Sequence, residues 1–271
     1  MFMPSLRHTG TLVLVVISAF SQVLNAYDIS SKKGPQGSLG VTLDYSLATS
    51  WPEDKDPTKT QFERSWVFSS HITFANSVDG ITDEQLWQVA RDAVTEMEDD
   101  SRQYQISIKK IPNAMAVLAW GNEIILASSQ KTMPSFAYQY ADTPVLESLK
   151  LCQMVWRDNA PSGTDERHRA EGMCAEPVAA QLYYSINTNQ LQGQNARVGT
   201  WVRNRKGEWQ KQDPCGEPSR DLWGCNLFTT DQNLRVLDKN MQEAPYDLSN
   251  LAGGVSTRDQ VQLCSVVRAG V

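Results

Sequence analysis

Five cysteines, Cys152, Cys174, Cys215, Cys225 and Cys264, constrain this 271-residue chain more than any other feature. An odd number cannot be paired off completely, so simple disulfide pairing leaves one sulfur to be explained. Two partitions are sensible. Two disulfides leave one buried thiol; three metal ligands and one disulfide leave none over. The choice between them depends on the compartment and on the residues around each cysteine.

The N-terminus bears on the compartment. Arg7 and His8 precede an apolar run of ten residues, 11–20, and then a polar, small-residue segment, 21–26. That order reads as a secretory signal peptide over residues 1–26, cleaved near Ala26, although Leu24 is an imperfect residue for its position before the cut. Ten apolar residues are too few to span a bilayer as a helix, and no other segment of the sequence is long and apolar enough. The expectation is a secreted protein that meets an oxidising compartment. With 25 basic against 31 acidic residues the net charge is −6. This argues against a protein that coats nucleic acid through phosphate contacts, but leaves a local basic groove open.

Residues 27–80 read as an N-terminal extension with weak strand-like alternation over 40–47 and 66–74. From 81 onwards the pattern sharpens into a domain. Thr82 with Gln85 three positions on is a capping-box start. Leu86, Val89, Ala90, Ala93, Val94 and Met97 follow at helical spacing, which predicts a helix over 83–98. Two apolar runs, 114–120 and 123–128, joined by Gly121-Asn122, predict a β-hairpin. A helix over 144–157 carries Val145, Leu149, Cys152 and Val155 or Trp156 on one face, and a charged loop follows over 158–171. Further expectations are a helix over 174–186, a strand over 198–202, a loop over 214–225, a helix over 230–241 and a last strand over 261–267. Strands interleaved with helices point to an α/β fold, a three-layer α/β/α sandwich with a mixed sheet.

Cys174-Ala175-Glu176 opens the helix over 174–186. A cysteine at a helix start feels the positive end of the macrodipole and unpaired backbone N–H groups, both of which favour the thiolate. Downstream lie Pro214-Cys215-Gly216 and Trp223-Gly224-Cys225. Three soft ligands with a fourth position left for water form the catalytic rather than the structural zinc pattern. The alternative is that these are ordinary cysteines of a secreted protein, two of them disulfide-bonded, with Glu176 merely a favourable acid in a first helical turn.

In these ordered parts the chain resembles the cytidine deaminase-like superfamily of zinc-dependent deaminases. The parts are a helix, a hairpin, a helix opening with Cys-Ala-Glu, a strand, and then Pro-Cys leading to another cysteine, over roughly residues 83–240. Two departures stand out: an insertion at about 131–171, and nine residues between Cys215 and Cys225 where the family has two. Glu217, Asp221 or His168 therefore compete with Cys225 for the third ligand position. The resemblance implies Zn²⁺ on Cys174, Cys215 and Cys225, an activated water, and Glu176 as the proton carrier. It implies hydrolysis of the exocyclic amine of a nucleobase, in a nucleoside or single-stranded nucleic acid, as in the toxin-like secreted branches. Trp223 would stack on the base, or else serve as a core or lid residue. His168, between Arg167 and Arg169, would touch substrate at the pocket mouth, or else sit in a solvated loop. Cys152 and Cys264 are then left to form a disulfide. A secreted effector or interaction protein that keeps the fold without turnover is the alternative function, and a structural extracellular domain with two disulfides is a third.

Overall fold

The computed structural model describes residues 27–50, 64–132, 134–139, 142–160, 165–217 and 222–264. The segment read as a signal peptide lies outside the described residues.

The predicted hairpin is the centre of the molecule. Strand β3 (Ala114–Trp120) pairs antiparallel with β4 (Glu123–Ser128), with Trp120 opposite Glu123 across the turn. Gly121 takes φ +50°, a conformation that glycine adopts without the strain a Cβ brings. Both strands read as unbroken apolar runs because both faces are covered. Met115, Val117, Ala119, Ile124 and Leu126 point into one core, whereas Leu118, Trp120, Ile125 and Ala127 point into the other.

Outwards from β4 come β2 (Phe68–Phe74) and then β1 (Thr42–Leu43); outwards from β3 come β5 (Arg197–Arg203) and β6 (Trp209–Gln212). Strand β7 (Arg235–Val236) runs parallel to β5, and β8 (Val255–Asp259) runs antiparallel to β2. The result is an open, eight-stranded, largely antiparallel sheet with one parallel pair. Strands β1 and β2 and the short helix α1 (Tyr45–Ser50) come from the segment read as an extension, yet β2 pairs with β4 over five residues. They are part of the same sheet.

Helix α2 (Asp83–Gln103) covers one face, and all six residues of its predicted stripe are buried. Both capping-box hydrogen bonds form: the Gln85 N–H donates to Thr82 Oγ1, and the Thr82 N–H to Gln85 Oε1. The opposite face carries α3 (Phe136–Gln139), α4 (Pro144–Asn159), α5 (Ala175–Ile186) and α6 (Cys225–Asp231). Helices on both sides of one sheet make three layers. On α4, Trp156 rather than Val155 completes the buried face; Val155 is exposed. Among the described residues no helix is long and apolar enough to cross a membrane.

Two predicted elements are corrected. The helix expected over 230–241 is α6, which ends at Asp231. Asn233, at φ +51°, closes it, and the Leu234 N–H donates back to the Thr229 carbonyl. The chain then pairs with β5 through the Arg235 and Leu237 N–H groups on the Ala196 and Val198 carbonyls. The strand expected over 261–267 is instead β8, whose residues are all exposed. It is fastened by His71 of β2, whose Nδ1 meets Asp259 at 2.9 Å and whose Nε2 meets Glu123 at 2.6 Å. Residues 265–271 lie outside the described residues.

Candidate metal centre

The chain delivers four donor side chains to one point from two loops, the α4–α5 connection and the β6–α6 connection. Cys174 is the N-cap of α5, with an extended backbone and no side-chain capping bond, so its sulfur is available. Cys215 follows β6, and Cys225 opens α6. His168 comes from the loop between α4 and α5. The ligating atoms of these four residues all lie within 4.8 Å of one another.

The nine-residue gap between Cys215 and Cys225 closes on itself. Glu217 and Leu222 form a two-residue antiparallel bridge, with the Glu217 N–H on the Leu222 carbonyl at 2.6 Å. Asn226 locks the far end: its N–H donates to the Cys215 carbonyl, and its Oδ1 accepts the Gly224 N–H. Gly224 has no alternative here. A Cβ at that position would lie 2.6 Å from both the carbonyl oxygen and the sulfur of Cys215. The loop therefore returns Cys225 beside Cys215, and of the competing third ligands Cys225 and His168 join the cluster. Glu217 is not a member of it, and Asp221 lies outside the described residues.

The donor set suits zinc. Tetrahedral Zn–S bonds of about 2.3 Å place sulfurs about 3.8 Å apart, and Cys174 Sγ lies 3.6 Å from Cys215 Sγ. Three thiolates this close need a cation. Without one, the three sulfurs divide their protons unequally. Hydrogen bonding from Cys174 holds Cys215 far below the usual thiol range, with Cys225 and His168 adding to the effect. The same contact with Cys215 holds Cys174 well up, and burial holds Cys225 well up. A divalent cation would draw the protons from all three, because the thiolate is the ligand.

Glu176 lies in the first turn of α5, buried, with Oε1 accepting the Thr200 hydroxyl from β5 at 3.0 Å. Burial raises its pKa above the ordinary carboxylate value, and the charge on Cys215 adds to this. A carboxyl with raised proton affinity beside a metal site can both take and give a proton.

Of the remaining predicted residues, Trp223 takes its core alternative, whereas His168 and the Cys152–Cys264 pair depart from expectation. His168 is neither solvated nor at a mouth: it is 1% exposed, with Nε2 3.3 Å from Cys225 Sγ and 3.9 Å from Cys215 Sγ. Trp223 is 2% exposed and offers no face to a base. Its ring stands edge-on to His168 with centroids 5.3 Å apart, and its Nε1–H donates to the Glu166 carbonyl at 2.8 Å. It is a core residue whose N–H also ties down the His168 loop. The expected Cys152–Cys264 disulfide is not formed. Cys152 is buried within α4, its thiol pushed up to about 12 by burial, and the Cys264 backbone N–H is held by Ser46 Oγ.

Sequence reading missed Thr200 and Asn226, since nothing local marks them, and named Gly224 only as the neighbour of Cys225. His168 carried one usable signal: of the three histidines, only this one lies close in sequence to a cysteine. No family model matches the chain, and no curated protein or solved structure matches it.

Proposed function

We propose that this chain is a secreted zinc-dependent deaminase with a cytidine deaminase-like fold, acting on the exocyclic amine of a nucleobase. The substrate is a nucleoside or a single-stranded nucleic acid, and the setting is that of a toxin or effector. The observation that carries the reading is Glu176: a buried carboxyl oriented by Thr200, two residues after the ligand Cys174 and on the helix that Cys174 begins. The order of parts supports it. Helix α2, the β3–β4 hairpin, α5 opening at Cys174, strand β5 and then Cys215 and Cys225 follow the order of the family the sequence resembles.

Cys174, Cys215 and Cys225 would hold the metal, which when bound supplies Lewis-acid activation of the attacking water. The protein's own part is proton management. Glu176 accepts the proton of the attacking water and passes it to the ring nitrogen of the base. Addition at the amine-bearing carbon then lets ammonia depart, so amine plus water becomes carbonyl plus ammonia. Thr200 fixes the carboxyl for both transfers. Burial raises the proton affinity of Glu176 above that of an ordinary carboxylate, which favours its holding the proton between the two transfers.

The second reading, a secreted effector or interaction protein without turnover, is favoured by one observation. Glu176, His168 and Trp223 are all nearly inaccessible, at 5%, 1% and 2% exposure. Ammonia release from cytidine, adenosine and single-stranded DNA and RNA by the zinc-loaded protein separates the two. Turnover of any of them supports the enzyme; none across the panel supports the non-catalytic reading. N-terminal sequencing of the exported protein tests the secretion part, with a start at or near Tyr27 expected and an intact Met1 against it.

A further inference from the structure

We infer that His168 is an N–H donor to the cysteine sulfurs and not a fourth metal ligand, so the fourth coordination position is left to solvent or substrate. The inference rests on the cluster being a zinc site, and it decides whether that site is closed or open.

Proximity alone would make His168 the fourth ligand of a closed Cys₃His site, the structural pattern. The hydrogen bonds on the other side of its ring oppose that. Nδ1 accepts two backbone N–H groups, from Ala170 at 3.1 Å and from Gly172 at 3.3 Å. A backbone N–H can only donate, so Nδ1 presents its lone pair and carries no proton. A neutral imidazole has one ring proton, which must then be on Nε2. That nitrogen faces Cys225 Sγ at 3.3 Å and Cys215 Sγ at 3.9 Å. Histidines that ligate zinc through Nε2 show the reverse: Nδ1–H donates to a carbonyl or carboxylate, which frees the Nε2 lone pair.

The fold fixes this tautomer. The turn over 168–173 is closed by the Glu171 N–H on the His168 carbonyl and the Met173 N–H on the Ala170 carbonyl. Glu171 and Gly172 both take positive φ, at +49° and +68°. At Gly172 a Cβ would meet Leu149 Cδ1 at 2.8 Å, so only glycine brings this N–H beneath the ring. Ser135 Oγ donates to the Glu171 carbonyl, and the Gln130 N–H to the Met173 carbonyl, pinning the turn to its surroundings. The Tyr138 hydroxyl accepts the His168 N–H, and Trp223 packs on the ring edge. Rotating the proton to Nδ1 would set it against two N–H groups that this turn cannot withdraw.

His168 is therefore a positioning residue. Three thiolates on one divalent ion carry a net negative charge, and an N–H aimed at Cys225 and Cys215 offsets it, as the Cys225 N–H does for Cys215 at 3.3 Å.

Zinc-edge X-ray absorption on the zinc-loaded protein tests this directly, because a bound imidazole adds a characteristic outer-shell scattering pattern. The expected wild-type result is a shell of three sulfurs without the imidazole pattern. His168→Ala should keep one zinc per chain with the same sulfur shell and lose about 10- to 100-fold in affinity, as for other outer-shell partners. His168→Gln, which can still donate an N–H, should recover part of that loss. An imidazole pattern in the wild type that disappears in His168→Ala would overturn the inference. Should the alanine variant not fold, the wild-type spectrum alone decides. A wild type that binds no zinc removes the metal reading itself, a failure distinct from finding imidazole on the metal.

Discussion

The backbone N–H of Cys225 points at the sulfur of Cys215 from 3.3 Å, although nine residues separate the two in sequence. The contact depends on Gly224, whose backbone passes so close to Cys215 that no side chain fits between them. Gly224→Ala should push Cys215 off its position. Overpacking of this kind typically costs about 1–3 kcal/mol, and here it also displaces a ligand. Thermal denaturation should show a lowered melting temperature, and zinc titration should show a weakened site. Wild-type zinc affinity in the variant would mean that the loop is free to yield.

Glu176 separates metal binding from proton transfer. It is not among the clustered ligands, and its Oε1 is already engaged by Thr200. Glu176→Gln preserves shape and most packing while removing the proton carrier. General acid–base groups contribute about 10² to 10⁴ in rate, and in the proposed mechanism one group serves both transfers. The variant should hold zinc as the wild type does and lose at least that much in ammonia release. Equal activity in the two proteins would remove Glu176 from the mechanism.

Asp100 makes a pH prediction away from the site. It lies on α2, where its carboxylate accepts the Leu43 N–H, the Thr42 hydroxyl and the Gln103 amide, tying the helix to β1. Burial pushes its pKa up to about 6 from 3.8, against the pull of those hydrogen bonds. Between these values the unfolded chain has lost the proton and the folded chain still holds it. The folded state then binds more protons, so this group's contribution to stability falls as pH rises from about 4 to about 6 and is flat above. The slope is at most about 1.4 kcal/mol per pH unit. Urea unfolding of wild type and Asp100→Asn across that range should show the variant gaining relative to the wild type as pH rises. Parallel curves would contradict the assignment.

How much of this was legible in the sequence depended on how local each signal is. The α2 stripe and the hairpin were readable because their partners are neighbours in the chain, and every residue of the stripe is buried as expected. Cys174, Glu176 and Cys215 were readable because residue type and spacing carry the chemistry. His168 was not. It stands among Asp165, Glu166, Arg167, Arg169 and Glu171, and its burial is supplied by Trp223 and Tyr138 from elsewhere in the chain. Strand β7 was hidden because Leu234, Leu237 and Met241 are spaced as in a helix, and only pairing with β5 makes that segment extended. Strand β8 was hidden because an exposed edge strand has no apolar face to show.

The central claim is a zinc site built from Cys174, Cys215 and Cys225, and metal analysis of the purified protein tests it most directly. The account predicts one zinc per chain, lost in Cys174→Ser, in Cys215→Ser and in Cys225→Ser. Absence of zinc, or recovery of any of these three cysteines in a disulfide by non-reducing peptide mapping, would contradict it.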